Sequence, residues 1–184
     1  MEMQIQIIIG SVRKGRIGPQ IASWVKDEIS ANFSAEVIDL KDWNLPMDDE
    51  PNLPAEGIYL NCHTRLWSEK ISSGDAYIFV FPQYNWGYPA ALKNAIDHLY
   101  HEWGNKPALI ISYANKGGGK AATQLRQVLQ GVHMNVAMNN IEIKLSEIDF
   151  SKELGNNAYP QDLANYREKL AAAMNEINKI YSKA

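Results

Sequence analysis

Short apolar runs alternate with longer helical patterns along this chain, and their order predicts the architecture. The run from Asp75 to Phe81 is apolar without alternation, which favours a strand buried on both faces, as in a parallel sheet. The last run is less regular and is broken near Asn139 and Asn140. The predicted strands are Met3 to Ile9, Glu36 to Leu40, Asp75 to Phe81, Lys106 to Tyr113 and Val136 to Lys144.

Helical periodicity follows each predicted strand. Ile21, Val25 and Ile29 recur every four residues after Pro19, a residue favoured at the start of a helix. Strand and helix alternate five times, which predicts one α/β domain over residues 1–184. We expect a doubly wound, five-stranded parallel sheet in the order 2-1-3-4-5, with helices on both faces. The predicted helices are Pro19 to Ile29, Thr64 to Ser72, Ala90 to about Tyr100, about Ala121 to Gly131, and about Pro160 to Tyr181.

Composition limits the partners and the cellular compartment that we expect for such a domain. Of the 184 residues, 46% are hydrophobic, and the net charge of −3 without a Lys/Arg run argues against a nucleic-acid partner. No apolar run approaches the roughly 18–20 residues of a membrane helix, and Met1 to Ile9 lacks the pattern of a signal peptide. The single cysteine, Cys62, cannot form an internal disulfide. We therefore expect a reducing compartment, by default the cytoplasm, and no membrane partner.

A basic, glycine-rich loop links the first strand to the first helix. Backbone N–H groups at a helix N-terminus attract anions, and Ser11 can add a hydrogen bond. Arg13 can hold phosphate oxygens bidentately, whereas Arg16 and Lys14 are weaker candidates for that role. The loop predicts a phosphate site, with a solvated basic turn as the alternative. Its sequence is Gly10-Ser11-Val12-Arg13-Lys14-Gly15-Arg16-Ile17-Gly18.

The same loop resembles an ATP-type phosphate loop only in part. Gly10 and Gly15 have the right spacing, but Arg16 and Ile17 stand where that motif needs Lys and a magnesium-binding Ser or Thr. A G-x-G-x-x-G fingerprint of dinucleotide sites is also missing. What remains is a site for one terminal phosphate, bound without metal.

Two further loops follow the third and fourth predicted strands. The segment from Pro82 to Pro89 carries Tyr84, Trp86 and Tyr88, whose rings suit a flat heteroaromatic guest. The alternative is a connector whose aromatic rings cap the core. The segment from Ser112 to Lys120 contains three consecutive glycines, which let the backbone approach a ligand closely. All three loops are predicted at one sheet edge, where flavin mononucleotide (FMN), with its flat ring and single phosphate, would match them.

Other features have weaker implications. Residues 44–57 form an acidic, proline-containing loop, long enough to predict a lid or an interface, or simply a surface loop. His98 and His101 have a spacing that metal ligands can use, although surface histidines are the expected interpretation. The chain shows no obvious nucleophile–base pair near the loops, and hydride transfer through a flavin needs none.

The motifs together resemble the NAD(P)H-dependent FMN reductases, a family with a flavodoxin-like fold that includes small quinone and azo-dye reductases. The chain looks most similar to the yeast-type FMN-dependent quinone reductases, from the first strand to about residue 145. Many members have Ser or Asn at the positions of Arg16 and Gly18 as extra phosphate partners, and here Arg16 could supply charge instead. The resemblance rests on Gly10 to Arg13, on Pro82 to Ala95, and on Lys106 to Gly119.

The resemblance implies an enzyme that transfers hydride from NAD(P)H through bound FMN to quinones, free flavin, azo dyes or similar acceptors, in ping-pong order. It also implies a homodimer, or a tetramer built from dimers, with flavin sites near the interface. The rivals are a flavodoxin-like electron carrier without a small-molecule substrate, and a redox-regulated binding protein. The implied cofactor-binding residues are Ser11, Arg13, Arg16, Ile17, Gly18, Pro82, Gln83, Tyr84, Asn85, Trp86, Gly87, Ser112, Asn115, Gly117 and Gly118.

Overall fold

The computed structural model describes residues 3–43, 45–150 and 159–183. Strands and helices alternate through these ranges as the sequence predicts. The strands are β1 Gln4–Ile9, β2 Ser34–Asp39, β3 Ala76–Pro82, β4 Pro107–Ala114, β5 Asn135–Val136 and β6 Ile141–Lys144. The α-helices are α1 Gly18–Ile29, α2 Cys62–Ser72, α3 Ala90–Asp97, α4 Gly119–Gly131 and α5 Arg167–Tyr181.

The strands form one parallel sheet in the order β2-β1-β3-β4-β5, with β6 also paired to β4. Ile7 of β1 lies between Val37 of β2 and Ile78 of β3, so β1 is flanked by strands on both sides. The predicted doubly wound, flavodoxin-like order is therefore confirmed. The order reverses between β1 and β3, where such folds form their ligand crevice.

The predicted fifth strand is broken near Asn139 and Asn140, as expected, and its two segments count as separate strands, so the sheet has six strands rather than five. β5 pairs with the start of β4, and β6 pairs with its end. Residues between them leave the ladder, and Arg126 of α4 donates to the carbonyl oxygens of Ala137 and Met138, at 2.7 and 3.1 Å. The guanidinium thus satisfies backbone groups that the interrupted strand leaves unpaired.

The helices also differ from the prediction at several ends, and α2, for example, begins at Cys62 rather than at Thr64. α3 ends at Asp97, and a short 3-10 helix, His101–Trp103, follows it. The last predicted helix is a 3-10 helix over Gln161–Tyr166 that continues as α5.

Helices cover both faces of the sheet, as predicted, and each face has its own hydrophobic core. Ile78 and Val80 of β3 pack into the core under α1 and α5, whereas Tyr77 and Phe79 point into the opposite core. Trp24 is fully buried on the first side, and Trp67 and Trp103 are fully buried on the second. Truncating a buried aromatic side chain of this kind typically costs about 3–5 kcal/mol, so both cores contribute strongly to stability.

No described helix is both long and apolar enough to cross a lipid bilayer.

Candidate functional site

Three loops at the carboxyl ends of β1, β3 and β4 enclose one cleft of about 1000 Å³. This volume lies at the upper end of the roughly 300–1000 Å³ that is usual for small-molecule sites. The cleft lies where the strand order reverses, as expected for a doubly wound sheet. Its lining comprises residues 13–17, Pro82, Gln83, Tyr84, Trp86, residues 113–116, Gly118, Gly119, Lys120, Glu142 and Leu145.

The basic loop after β1 presents two arginines in different environments. Arg13 is exposed, and its guanidinium lies 5.2 Å from the centre of the Tyr84 ring. Arg16 is largely buried and forms an ion pair with Asp39 at the end of β2. That pair uses one guanidinium nitrogen, and the buried Nε and Nη1 of Arg16 have no partner among the described residues. Asp39 therefore orients Arg16 while two of its nitrogens remain available to an anion at the cleft.

The aromatic loop after β3 is a tight two-residue turn. Tyr84 N donates to the Gly87 carbonyl oxygen at 2.8 Å, and Gly87 N donates to that of Tyr84 at 2.9 Å. Asn85 and Trp86 at its tip have φ angles of 45° and 71°, in the left-handed region that few non-glycine residues occupy. Such strain persists where neighbouring contacts impose it and is common at ligand sites. Lys120 Nζ lies 3.0 Å from the centre of the Trp86 ring, so a cation covers one face of the indole.

Three hydroxyl groups, those of Ser11, Tyr84 and Tyr113, lie close together beside the basic loop. Ser11 Oγ and the Tyr84 hydroxyl lie 2.6 Å apart, and this hydrogen bond fastens the aromatic turn to the basic loop. The Tyr113 hydroxyl approaches Ser11 and the backbone of Gly18 without a hydrogen bond of normal geometry. Burial raises the pKa of Tyr113 well above its usual range, and the nearby Tyr84 adds to that effect. Tyr113 therefore remains a neutral phenol at physiological pH.

The glycine turn after β4 is packed too closely for side chains. Gly118 has a φ of 86°, and a Cβ there would lie 3.2 Å from Cβ and Oγ of Ser112. Ser112 Oγ donates to the carbonyl oxygen of Gly117 at 2.9 Å and holds the turn in place. Ala121 N donates to Gln83 Oε1 at 3.3 Å, which links this turn to the aromatic loop. The turn thus offers bare backbone to the cleft, as a flat ligand requires.

Glu142 is a cleft residue that no sequence motif indicated. A Cβ on Gly119 would lie 2.7 Å from both carboxylate oxygens of Glu142, so this carboxylate sits against the first turn of α4. The positive end of a helix dipole stabilises an acid there. Position could have revealed it, because β6 alternates buried and exposed residues and ends at the same sheet edge as β4.

Nine of the predicted cofactor residues line the cleft and six lie around it. Ser11, Gly18 and Ser112 are buried beneath the lining, and Asn85 is exposed at the tip of its turn. The remaining two are Gly87 and Gly117, which approach Gln124 and Glu142 respectively. The nine that line it are Arg13, Arg16, Ile17, Pro82, Gln83, Tyr84, Trp86, Asn115 and Gly118.

The histidine prediction is only half right. His101 is exposed as expected, and its Nε2 lies 2.7 Å from the carbonyl oxygen of Ala55. His98 is fully buried instead, because the C-terminal end of α3 turns it into the interior. The acidic loop packs nearby, since Asn94 Nδ2 donates to the Pro46 carbonyl oxygen at 2.7 Å.

Comparison with known proteins places these features in a family. The family model described as NADPH-dependent FMN reductase matches residues 3–146. The chain belongs to this family. It is 46% identical to an NAD(P)H-dependent FMN reductase of Schizosaccharomyces pombe, covering 83% of this chain and 84% of that protein. It is 45% identical to an NAD(P)H-dependent FMN reductase of Saccharomyces cerevisiae, with 78% and 81% covered.

A solved structure resembles the fold at low sequence identity. The flavoenzyme NAD(P)H:(acceptor) oxidoreductase FerB from Paracoccus denitrificans superposes with a TM-score of 0.77 and 19% identity, covering 98% of each chain. This likeness shows the flavodoxin-like fold alone. Membership of the NADPH-dependent FMN reductase family identifies the chain as an oxidoreductase and agrees with the expected FMN and NAD(P)H.

The cleft of this FMN reductase fits a flavin nucleotide on its own geometry. The buried Arg16 nitrogens without partners lie where a phosphate would find donors. Gly118 lines the cleft with backbone alone, and a Cβ there would collide with Ser112 beneath the turn. The cleft thus contains hydrogen-bond donors for one phosphate and a backbone surface against which a flat ring can lie.

Proposed function

We propose that this chain binds FMN as its cofactor and transfers hydride from NAD(P)H to a quinone, free flavin, azo compound or similar acceptor. The two substrates would use the same face of the cleft in turn, in ping-pong order. The observation that carries the proposal is the convergence of the basic loop, the aromatic turn and the glycine turn on one cleft.

The phosphate end of FMN would lie at the basic loop. Arg13 is exposed at the cleft, Arg16 offers two buried nitrogens, and the N-terminus of α1 begins at Gly18. Charge-assisted hydrogen bonds and the helix dipole both favour a phosphate dianion at this place. Ser11 supports the loop through its hydrogen bond to Tyr84.

The ring would lie between the aromatic turn and the glycine turn. Tyr84 and Trp86 form one side, while Gly118 and the Asn115 segment form the other. When bound, FMN accepts hydride from a nicotinamide and returns reducing equivalents to an acceptor. The protein's part would be to hold the ring with one face open to substrates and to shield the other from water. Backbone N–H groups of the glycine turn would stabilise negative charge on the reduced ring, and the Glu142 carboxylate would oppose them.

The setting of the enzyme is part of the same proposal. The family resemblance supports a homodimer with flavin sites near the subunit interface. The one cysteine, Cys62, is a free exposed thiol, which suits a reducing compartment such as the cytoplasm.

An anaerobic cuvette experiment tests the proposed cycle. The purified protein is loaded with FMN, its visible spectrum is recorded, and NADPH or NADH is added, followed by a quinone. We expect the flavin bands to bleach with the nicotinamide and to return with the quinone. Bound FMN that neither nicotinamide bleaches would contradict the reductase and favour an electron carrier. Failure to bind FMN would contradict the assignment of all three loops.

A further inference from the structure

We propose that Asp49, His63 and His98 form a binding site for a divalent transition metal, Zn²⁺ foremost, at a corner of the molecule outside the flavin cleft. Each residue offers one ligand atom, and the three atoms lie within 4.8 Å of one another. None of the three residues lines the cleft. Asp49 lies in the acidic loop, His63 in the first turn of α2, and His98 at the C-terminal cap of α3. We call this group the histidine corner.

His98 is the fixed member of the histidine corner. Its Nδ1 lies 2.8 Å from the carbonyl oxygen of Asn94, and a carbonyl only accepts, so Nδ1 carries the proton. In the neutral ring Nε2 then holds a free lone pair. This Nε2 is buried and has no hydrogen-bond partner in the parts of the chain that the structure describes. A buried acceptor without a partner is costly, and a metal ion would satisfy it.

His63 and Asp49 are partly exposed, so their side chains can move to complete the site. His63 Nε2 lies 3.0 Å from Asp49 Oδ1, and their side chains are 28% and 52% exposed. Asn61 Nδ2 also donates to Asp49 Oδ1, at 2.9 Å, and so holds the carboxylate towards the histidines. The rings of His63 and His98 are 5.9 Å apart between centroids and inclined by 74°. Hydrogen bonds therefore already orient the Asp49 carboxylate and the His98 ring, as hydrogen bonds to the ligands do in known metal sites.

The distances suit Zn²⁺ after a small closure. Zn²⁺ binds nitrogen and carboxylate oxygen at about 2.0–2.2 Å, which places tetrahedral ligand atoms about 3.3–3.5 Å apart. The 3.0 Å contact between His63 and Asp49 is close to that spacing. All three ligand atoms lie within 4.8 Å of one another, so the two partly exposed side chains need to move towards His98 by at most about 1.5 Å. Two imidazoles, one carboxylate and a water complete four positions, a set that also suits Cu²⁺ and Ni²⁺.

Two other arrangements of ligands compete with this one. The sequence spacing of His98 and His101 suggested a pair, but His101 Nε2 faces the Ala55 carbonyl oxygen instead. Cys62 is an exposed free thiol beside His63 in sequence, so it could capture Zn²⁺ on its own. Variants at both positions therefore serve as controls.

A bound metal would add a direct link between three elements that already meet through hydrogen bonds and hydrophobic packing. It would tie the acidic loop to the start of α2 and to the end of α3. Because metal binds only the folded arrangement, it would raise the melting temperature and protect the loop from proteases.

Competition with a chromogenic chelator measures the site directly. The full-length protein, freed of metal by dialysis against a chelator, is titrated with Zn²⁺ in the presence of the dye. We expect one tight equivalent, which His63→Ala and Asp49→Asn each weaken at least 10-fold, since even outer-layer substitutions cost roughly 10- to 100-fold. His101→Ala, His133→Ala and Cys62→Ser should retain the affinity within about twofold.

Co²⁺ gives a second readout, because four-coordinate Co²⁺ shows strong visible d–d absorption that octahedral Co²⁺ lacks. We expect this absorption in the wild-type protein and its loss in His63→Ala and Asp49→Asn. Unchanged Zn²⁺ affinity in both of those variants would overturn the proposal. Loss of binding in Cys62→Ser alone would overturn it too, because the thiol would then be the ligand. Both readouts are independent of flavin turnover.

Discussion

The flavin cleft and the histidine corner are built in opposite ways. The three loops of the cleft are short continuous segments that each follow a strand, and the parallel sheet brings them to the same edge. The histidine corner takes one residue from each of three elements that no short motif connects. Its geometry depends on how a loop and two helices pack.

The two regions also differ in what determines their shape. In the cleft, the shape depends on unusual backbone conformations, since Gly117, Gly118, Asn85 and Trp86 all have positive φ angles. In the histidine corner it depends on one buried side chain, His98, which is hydrogen-bonded within its own helix. Substitutions should therefore damage the cleft through backbone and steric effects, and the histidine corner through lost side-chain contacts.

The largest expected effect is that of Gly118→Val on FMN binding. A valine there would adopt a left-handed conformation, and its Cβ would lie 3.2 Å from Ser112 Oγ and 3.3 Å from Tyr113 N. The backbone conformation alone costs roughly 1–2 kcal/mol in unfolding free energy, and the clash with Ser112 would displace the glycine turn from the ring side of the cleft. We expect a folded protein without measurable FMN affinity in flavin fluorescence titration.

Gly57→Ala is the matched control for this substitution. Gly57 also has a positive φ, 66°, but it lies outside the cleft, and the atom nearest to a Cβ there would be His101 Cδ2 at 3.4 Å, an ordinary contact. This control variant should lose about as much unfolding free energy as Gly118→Val loses through its backbone conformation, and it should retain most of its affinity for FMN. Normal FMN affinity and turnover in folded Gly118→Val would show that the glycine turn is not a wall of the site.

A smaller effect is expected from Arg13→Ala, which tests the phosphate end of the cleft. Arg13 is exposed and lies over the Tyr84 ring, so its removal should leave the fold intact. A charge-assisted hydrogen bond contributes roughly 1.5–3 kcal/mol, which corresponds to a 10- to 150-fold rise in the Kd for FMN. Calorimetric titration of the flavin-free protein measures it.

Two further variants distinguish the role of Arg13 from a general charge effect. Lys26→Ala removes one positive charge at the other end of α1 and should leave the Kd unchanged. Arg13→Lys keeps the charge but loses the planar fork, so an intermediate Kd is expected. If Arg13→Ala binds FMN as the wild type does, the phosphate lies elsewhere.

The sequence predicted what depends on local pattern and missed what depends on packing. The strand order followed from five alternations, and the three loops followed from their positions at strand ends. The split between β5 and β6 was only hinted at by two asparagines, because Arg126 stabilises it from a different element. The burial of His98 and the approach of Glu142 to Gly119 could not be deduced, since each depends on tertiary contacts between separate elements.

The smallest expected effect comes from Asn94→Ala, which should change the histidine corner without changing the flavin cleft. The Asn94 amide donates to the Pro46 carbonyl oxygen at 2.7 Å and accepts from Asp48 N at 3.1 Å, so it fastens the acidic loop to α3. Each such hydrogen bond contributes roughly 0.5–1.5 kcal/mol. We expect faster proteolysis in the acidic loop and a Zn²⁺ affinity reduced about 3- to 10-fold, with the Kd for FMN unchanged. Asn135→Ala is the control. It deletes a comparable side-chain hydrogen bond, 2.9 Å from Asn135 Nδ2 to the Asn105 carbonyl oxygen, at the far edge of the sheet. It should change neither the affinity for Zn²⁺ nor the Kd for FMN. A parallel loss of FMN affinity in Asn94→Ala would mean that the acidic loop also supports the cleft, and that the two regions are coupled rather than independent.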